Sequence, residues 1–204
     1  MYKRQGFLTW FLVTAKILPF TAATCIGVSI VCAVGCGFLY HFQGKNGIDC
    51  FPSGKVNLIY GEEILFFIFF LMWTYFAGFR PQAYGTEKFM DYGFMEAMMR
   101  STTLPARDLW YSEGTINYYY GGQYFAVFLT KLTGSKVELT YNLMRTFVAA
   151  FAFVLPFSLV RQMSVDRLKG SLTGKKRCLP AVAGIIAGLS VSIAGNMHYV
   201  VYSK

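Results

Sequence analysis

Residues 17–40 read ILPFTAATCIGVSIVCAVGCGFLY, twenty-four positions without one charged side chain. A hydrocarbon core about 30 Å thick takes roughly 17 to 25 helical residues to cross, so this stretch predicts a transmembrane helix. Working outward, Val56 to Phe79 predicts a second span, with Glu62 and Glu63 near one interface. Asn117 to Thr130 and Leu139 to Val160 predict a third and a fourth, the latter carrying Arg145, and Leu179 to Tyr202 predicts a fifth. No run alternates with period two, so the backbone groups have to be satisfied inside helices. The expected fold is all-α: a polytopic transmembrane helix bundle forming one membrane domain over residues 1–204, with a juxtamembrane helix in a loop at 81–116.

Composition agrees. Hydrophobic residues make up 55% of the 204 positions and charged ones only 14%, with a mean hydropathy of +0.42, a balance foreign to soluble domains. Aromatic content of 18% excludes intrinsic disorder. Cys25, Cys32 and Cys36 lie inside one apolar run, which leaves Cys50 and Cys178 as wet thiols and excludes a disulfide scaffold. With His41 and His198 the only histidines, no His/Cys zinc spacing can be assembled. The net charge of +9 reads as lysines and arginines flanking spans and touching anionic headgroups. Nucleic acid is therefore not an expected partner; the lipid bilayer is.

Small residues fall where helices pack in lipid: Ala33 and Gly37 are four apart, and Gly184-Ile-Ile-Ala-Gly188 is a GxxxG pattern. Gly6 to Ala15 is apolar but separated from the first span by Lys16, as an interfacial helix or the remnant of a longer one. The chain stops at Lys204 directly after a span, which reads as a piece of a longer protein.

Chemistry concentrates in the 81–116 loop, too long for a simple turn. At 100° per residue Met90, Phe94, Ala97 and Met98 form one stripe, and Glu87 and Asp91 fall within about 60° of Phe94 and Met98. Tyr92, Glu96 and Arg100 lie opposite, with Glu96 spaced to pair with Arg100. Acids on an apolar stripe are costly unless paired, metal-bound or lining a polar cavity, so Glu87 and Asp91 are the first functional candidates, weighed against simple neutralisation by Lys88 or an arginine. Downstream, Asn117-Tyr-Tyr-Tyr-Gly-Gly-Gln-Tyr124 opens the expected third span. Tyrosines at a span end ordinarily form an interfacial belt. Phenols beside carboxylates also suit a sugar or polar-lipid site, and Gly121 and Gly122 predict close backbone approach for packing or a ligand.

Glu87-Lys-Phe-Met-Asp91, Pro105 and Asp108 with Trp110, Ile116-Asn-Tyr-Tyr-Tyr120, Lys131-Leu-Thr-Gly134 and Tyr141-Asn142 together resemble the YYY-type family of bacterial and archaeal membrane proteins. The resemblance runs from about Glu62 to Asn196. That family in turn looks like a branch of the C-type glycosyltransferases, which take sugars from polyprenyl-phosphate carriers. Two departures stand out. Pro105-Ala-Arg-Asp-Leu-Trp110 replaces a pattern that often has two prolines before Asp-Pro-Trp, and Gln123 stands where a histidine is common. No acid–base role therefore carries over to Gln123.

The resemblance implies an inverting sugar transfer in which Asp91 or Glu87 acts as general base. Alternatively, one or both would hold a divalent cation, Mg or Mn, that bridges to the donor phosphate. Lys88, Arg107, Asp108, Trp110, Asn117, Tyr118, Tyr119, Tyr120 and Gln123 are the expected substrate-binding residues, with Lys88 and Arg107 as phosphate cations. It also implies a cell-membrane protein with this loop outside. Counting charges gives the opposite side: Lys3, Arg4, Lys16, Arg80, Lys88, Arg100, Arg107 and the basic connector Arg161 to Arg177 collect on the loop's side, which positive-inside would make cytoplasmic. The alternative functions are a transporter or flippase for a lipid-linked polar substrate, with the two acids as proton or cation sites, and a non-catalytic membrane subunit.

Overall fold

The computed structural model describes residues 2–45, 56–83, 87–168 and 178–194. Among them are seven α-helices and no strand, so the all-α expectation holds. The chain divides into two compact units, residues 1–51 with 81–144, and residues 52–80 with 145–204.

The first unit begins with α1, Tyr2–Thr14. The Gly6 to Ala15 stretch is thus part of a folded helix that buries Gln5, Thr9 and Val13, spaced i, i+4, i+8 on one face. Lys16 ends it in the left-handed region at φ 59°. Its N–H donates to Val13 O and that of Ile17 to Leu12 O, both at 2.9 Å, the paired bonds of a Schellman turn. Phe20, fully buried, follows, and Thr21 caps α2 (Ala22–Lys45) by accepting the Thr24 N–H at 3.2 Å. Gly37 of α2 has no atom within 4 Å of where a Cβ would stand, so the Ala33/Gly37 pair makes no close helix contact among the described residues.

α4 covers Lys88–Arg100 and α5 Gly121–Thr133. α4 buries Phe94, Met95, Ala97 and Met98, and α5 brings Tyr124, Val127 and Phe128 to the same core. The helix expected from Asn117 starts only at Gly121, because Ile116 is buried and its N–H is committed to Ala106 O at 2.9 Å. At 13 residues α5 is about 20 Å long, short of a hydrocarbon core. The loop between α4 and α5 closes through a single antiparallel bridge, Arg107 to Thr115.

The second unit holds α3, Val56–Gly78, most of α6, Val137–Arg167, and α7, Leu179–Ser192. Phe66 and Phe69 of α3 pack on Phe147, Phe151 and Phe153 of α6, with Phe69 and Phe153 stacked at 3.7 Å. Glu62 is half-buried and accepts the Ser158 hydroxyl at 2.7 Å. In α7 the GxxxG pattern does what its spacing predicts. A Cβ on Gly184 would stand 2.8 Å from the Phe157 carbonyl oxygen, and one on Gly188 2.8 Å from the Phe153 ring. The predicted fifth span beyond residue 194 lies outside the described residues. Three helices among those described are long and apolar enough to cross a membrane: Ala22–Phe42 of α2, α3 and α6.

Candidate functional site

Asp91 sits in the first turn of α4, its own N–H bonded to Glu87 O at 3.0 Å. Acids at a helix N-terminus are favoured by the backbone dipole, which accounts in part for both carboxylates. It does not account for where Asp91 points. Three and four residues before Phe94 and Met95, it is half-buried beside the core, and Oδ1 accepts the Gln123 Nε2–H at 2.7 Å. Glu87 is exposed, as is Lys88. The wheel therefore locates Asp91 well and overstates the burial of Glu87, the N-cap residue at the open end of the helix.

Gln123 is half-buried, and its Oε1 is fully enclosed without a hydrogen-bond partner among the described residues. Enclosed acceptors of this kind normally find a donor. Gly121 and Gly122, just before it, have no atom within 4 Å of a would-be Cβ. They do not serve close helix packing among the described residues.

The tyrosine run divides by depth. Tyr118 and Tyr119 are exposed, with ring centroids 4.0 Å apart. The Tyr119 phenol is held above its ordinary pKa, by desolvation first and then by the negative charges of Glu87 and Asp91, so it lies in the field of both. Tyr120 is half-buried and its hydroxyl accepts the Trp10 Nε1–H at 3.3 Å. Near it Gly6, Phe7, Trp10, Gly121, Tyr124 and Phe125 line an apolar recess of about 330 Å³. Asn117 is exposed.

Other expected site residues are placed elsewhere. Asp108 Oδ1 accepts the backbone N–H groups of Trp110 and Tyr111 at 2.8 and 3.1 Å, which makes it the organiser of a turn. Trp110 stands edge-on to Phe94, centroids 5.8 Å apart. Arg107 shares a cavity with Arg100, at the opposite end of α4 from Asp91. The expected Glu96–Arg100 pair is replaced: Tyr92 donates its hydroxyl to Glu96 at 3.1 Å while packing edge-on to Tyr141. Tyr92 is thus held between α4 and α6, not on a wet face.

Lys131 escaped the sequence reading as a buried cation. It is 9% exposed, donates to Met99 O at 2.8 Å, and lies 4.7 Å over the Phe20 ring. A charged residue inside the apolar run from Phe125 was the available signal. Among the described residues no three His, Cys, Asp or Glu side chains converge. Glu87 and Asp91 could supply two oxygens to a hard cation, with water or a ligand phosphate completing its shell.

Three helices of membrane-crossing length among the described residues define a multi-pass helical membrane protein. The chain belongs to the family described as uncharacterized membrane protein (DUF2298), which it matches over residues 5–203. No curated protein and no solved structure matches it.

Proposed function

We propose that the protein is a membrane glycosyltransferase that moves a sugar from a polyprenyl-phosphate carrier to an acceptor hydroxyl, with Asp91 as general base. The observation that carries this reading is the Asp91–Gln123 pair. Its remaining carboxylate oxygen is an acceptor, so the group that Asp91 takes brings an O–H donor, as a sugar or an acceptor alcohol does. Tyr119, in the field of both acids, adds a phenol to the rim.

In the step itself the acceptor hydroxyl loses its proton to Asp91 as its oxygen attacks the anomeric carbon. The bond from that carbon to the phosphate oxygen breaks, polyprenyl phosphate leaves with the electron pair, and the configuration inverts. Gln123 fixes the carboxylate. Lys88, exposed beside Glu87, is the cation nearest in sequence for the donor phosphate. A Mg or Mn ion held by Asp91 and Glu87 would add charge neutralisation at that phosphate. The recess between Phe7 and Phe125 is apolar, as a carrier's isoprenoid chain requires. On this reading the protein lies in the cell membrane with the 81–116 loop outside.

The test supplies membranes containing the full-length protein with radiolabelled polyprenyl-phosphate sugars and follows label into products, with and without chelator. Transfer above protein-free membranes supports the proposal. Label that crosses the bilayer untransferred, in sealed vesicles, assigns a flippase instead.

A further inference from the structure

At the far end of α4 a second cluster carries the opposite charge. Arg100, Ser101, Thr103 and Arg107 line a cavity of about 420 Å³ with Ala97 and Leu109 as its apolar wall. From Asp91 to Arg100 the helix advances about 14 Å, which separates this cavity from the Asp91–Gln123 site.

Its rim is held by backbone. Arg107 is the bridge residue opposite Thr115, flanked by the bonds from Asp108 N–H to Gly114 O, 3.1 Å, and from Ile116 N–H to Ala106 O, 2.9 Å. On the other side Thr102 O accepts the Phe20 N–H at 2.7 Å, and Ser101 Oγ accepts the Thr103 N–H at 3.1 Å. Asp108, the acid of the lining, has Oδ1 turned to the N–H groups of Trp110 and Tyr111. Neither guanidinium has a carboxylate partner among the described residues, and Glu96 is taken by Tyr92. Arginine beside a helix C-terminus gains a little from the dipole, but that explains Arg100 alone. It does not explain a second arginine presented to the same cavity from a braced loop.

We infer that this cavity is a phosphate-ester site, with Arg100 and Arg107 as its two cationic forks and the Thr103 hydroxyl beside them, the Ser101 hydroxyl being donated to Thr103 O at 2.7 Å. Guanidinium groups match phosphate oxygens with paired N–H donors, and the volume exceeds a bare phosphate, leaving room for the group it is esterified to. A lipid headgroup and a soluble phosphate ester offer the same chemistry. The inference is independent of the transferase reading, because binding here needs neither Asp91 nor turnover.

The experiment measures binding to the purified full chain of two probes that share a phosphate monoester. These are glycerol 3-phosphate by calorimetry in detergent, and phosphatidic acid in phosphatidylcholine nanodiscs. At least one probe is expected to bind, more weakly as salt rises, with an affinity loss of about tenfold or more in R100Q/R107Q and none in R80Q. Glycerol 3-phosphate bound in detergent assigns a soluble ligand, phosphatidic acid alone a lipid headgroup. Asp91→Asn is expected to keep this binding whatever it does to transfer. Should R100Q/R107Q not fold, Arg100→Lys and Arg107→Lys keep the charge and lose the fork, and each is expected to weaken binding. Wild-type protein that binds neither probe overturns the inference, as do arginine variants that all keep wild-type affinity.

Discussion

Gln123 donates to Asp91 across 2.7 Å, joining α5 to the first turn of α4 from 32 positions away in sequence. A neutral amide holds the carboxylate without neutralising it. The bond also fixes the orientation of the amide, since the oxygen of Gln123 facing Asp91 would set two acceptors against each other.

Gln123→Leu removes the donor and leaves a half-buried carboxylate unsatisfied, with an expected loss of about 1–3 kcal/mol. Gln123→His restores an N–H donor and is expected to recover most of it. Thermal unfolding in detergent compares the three proteins; equal melting of Gln123→Leu and wild type would mean that the hydrogen bond does not hold Asp91.

Gly184→Ala and Gly188→Ala should destabilise α7 by about 1–3 kcal/mol each. At Gly184 the new Cβ meets the carbonyl oxygen of Phe157 at 2.8 Å, and backbone moves less readily than a side-chain tip. Gly37→Ala, facing open space, is expected to be silent. Unfolding by denaturant titration in micelles reads all three, and a Gly37→Ala penalty as large as the others would contradict the packing described.

How far the sequence revealed this fold depends on whether the signal is local. The uncharged run of α2 and the GxxxG of α7 were legible because length and spacing along one helix suffice. Asp91 was legible from its position on the α4 stripe. Gln123 was not, since a helical wheel says nothing of a partner across a 20-residue connection. Arg107 was misjoined to the acidic site because nearness in sequence was the only guide. The Arg107–Thr115 bridge, which turns it toward Arg100's cavity, rests on backbone bonds that no side-chain pattern announces.

Thr21→Ala should cost about 1 kcal/mol by leaving the Thr24 N–H at the start of α2 without its cap. Lys16→Gly should raise stability by up to about 1 kcal/mol, because glycine takes the left-handed conformation at φ 59° without a Cβ penalty. Melting temperatures moving in opposite directions for the two variants would agree with this reading of the α1–α2 connection; a drop for Lys16→Gly would not.

The Tyr92 phenol is raised to about 12, by desolvation first and then by its hydrogen bond to Glu96. Since an unfolded tyrosine ionises near 10, this contact's contribution is fully present below about pH 10 and is lost as pH rises toward 12. Absorbance titration of phenolate should show a late-ionising tyrosine that disappears in Tyr92→Phe. An unchanged titration curve in that variant would place Tyr92 away from Glu96.

The central claim is that Asp91 removes the acceptor proton, and the initial rate of sugar transfer by Asp91→Asn tests it most directly. Asparagine keeps the size and the hydrogen-bonding reach but cannot take a proton, so the rate is expected to fall by about 10²-fold or more while helix content and membrane insertion stay as in wild type. Glu87→Gln should be equally damaging if the two acids share a cation, and mild if Asp91 acts alone. Transfer at the wild-type rate by the folded Asp91→Asn protein would contradict the account.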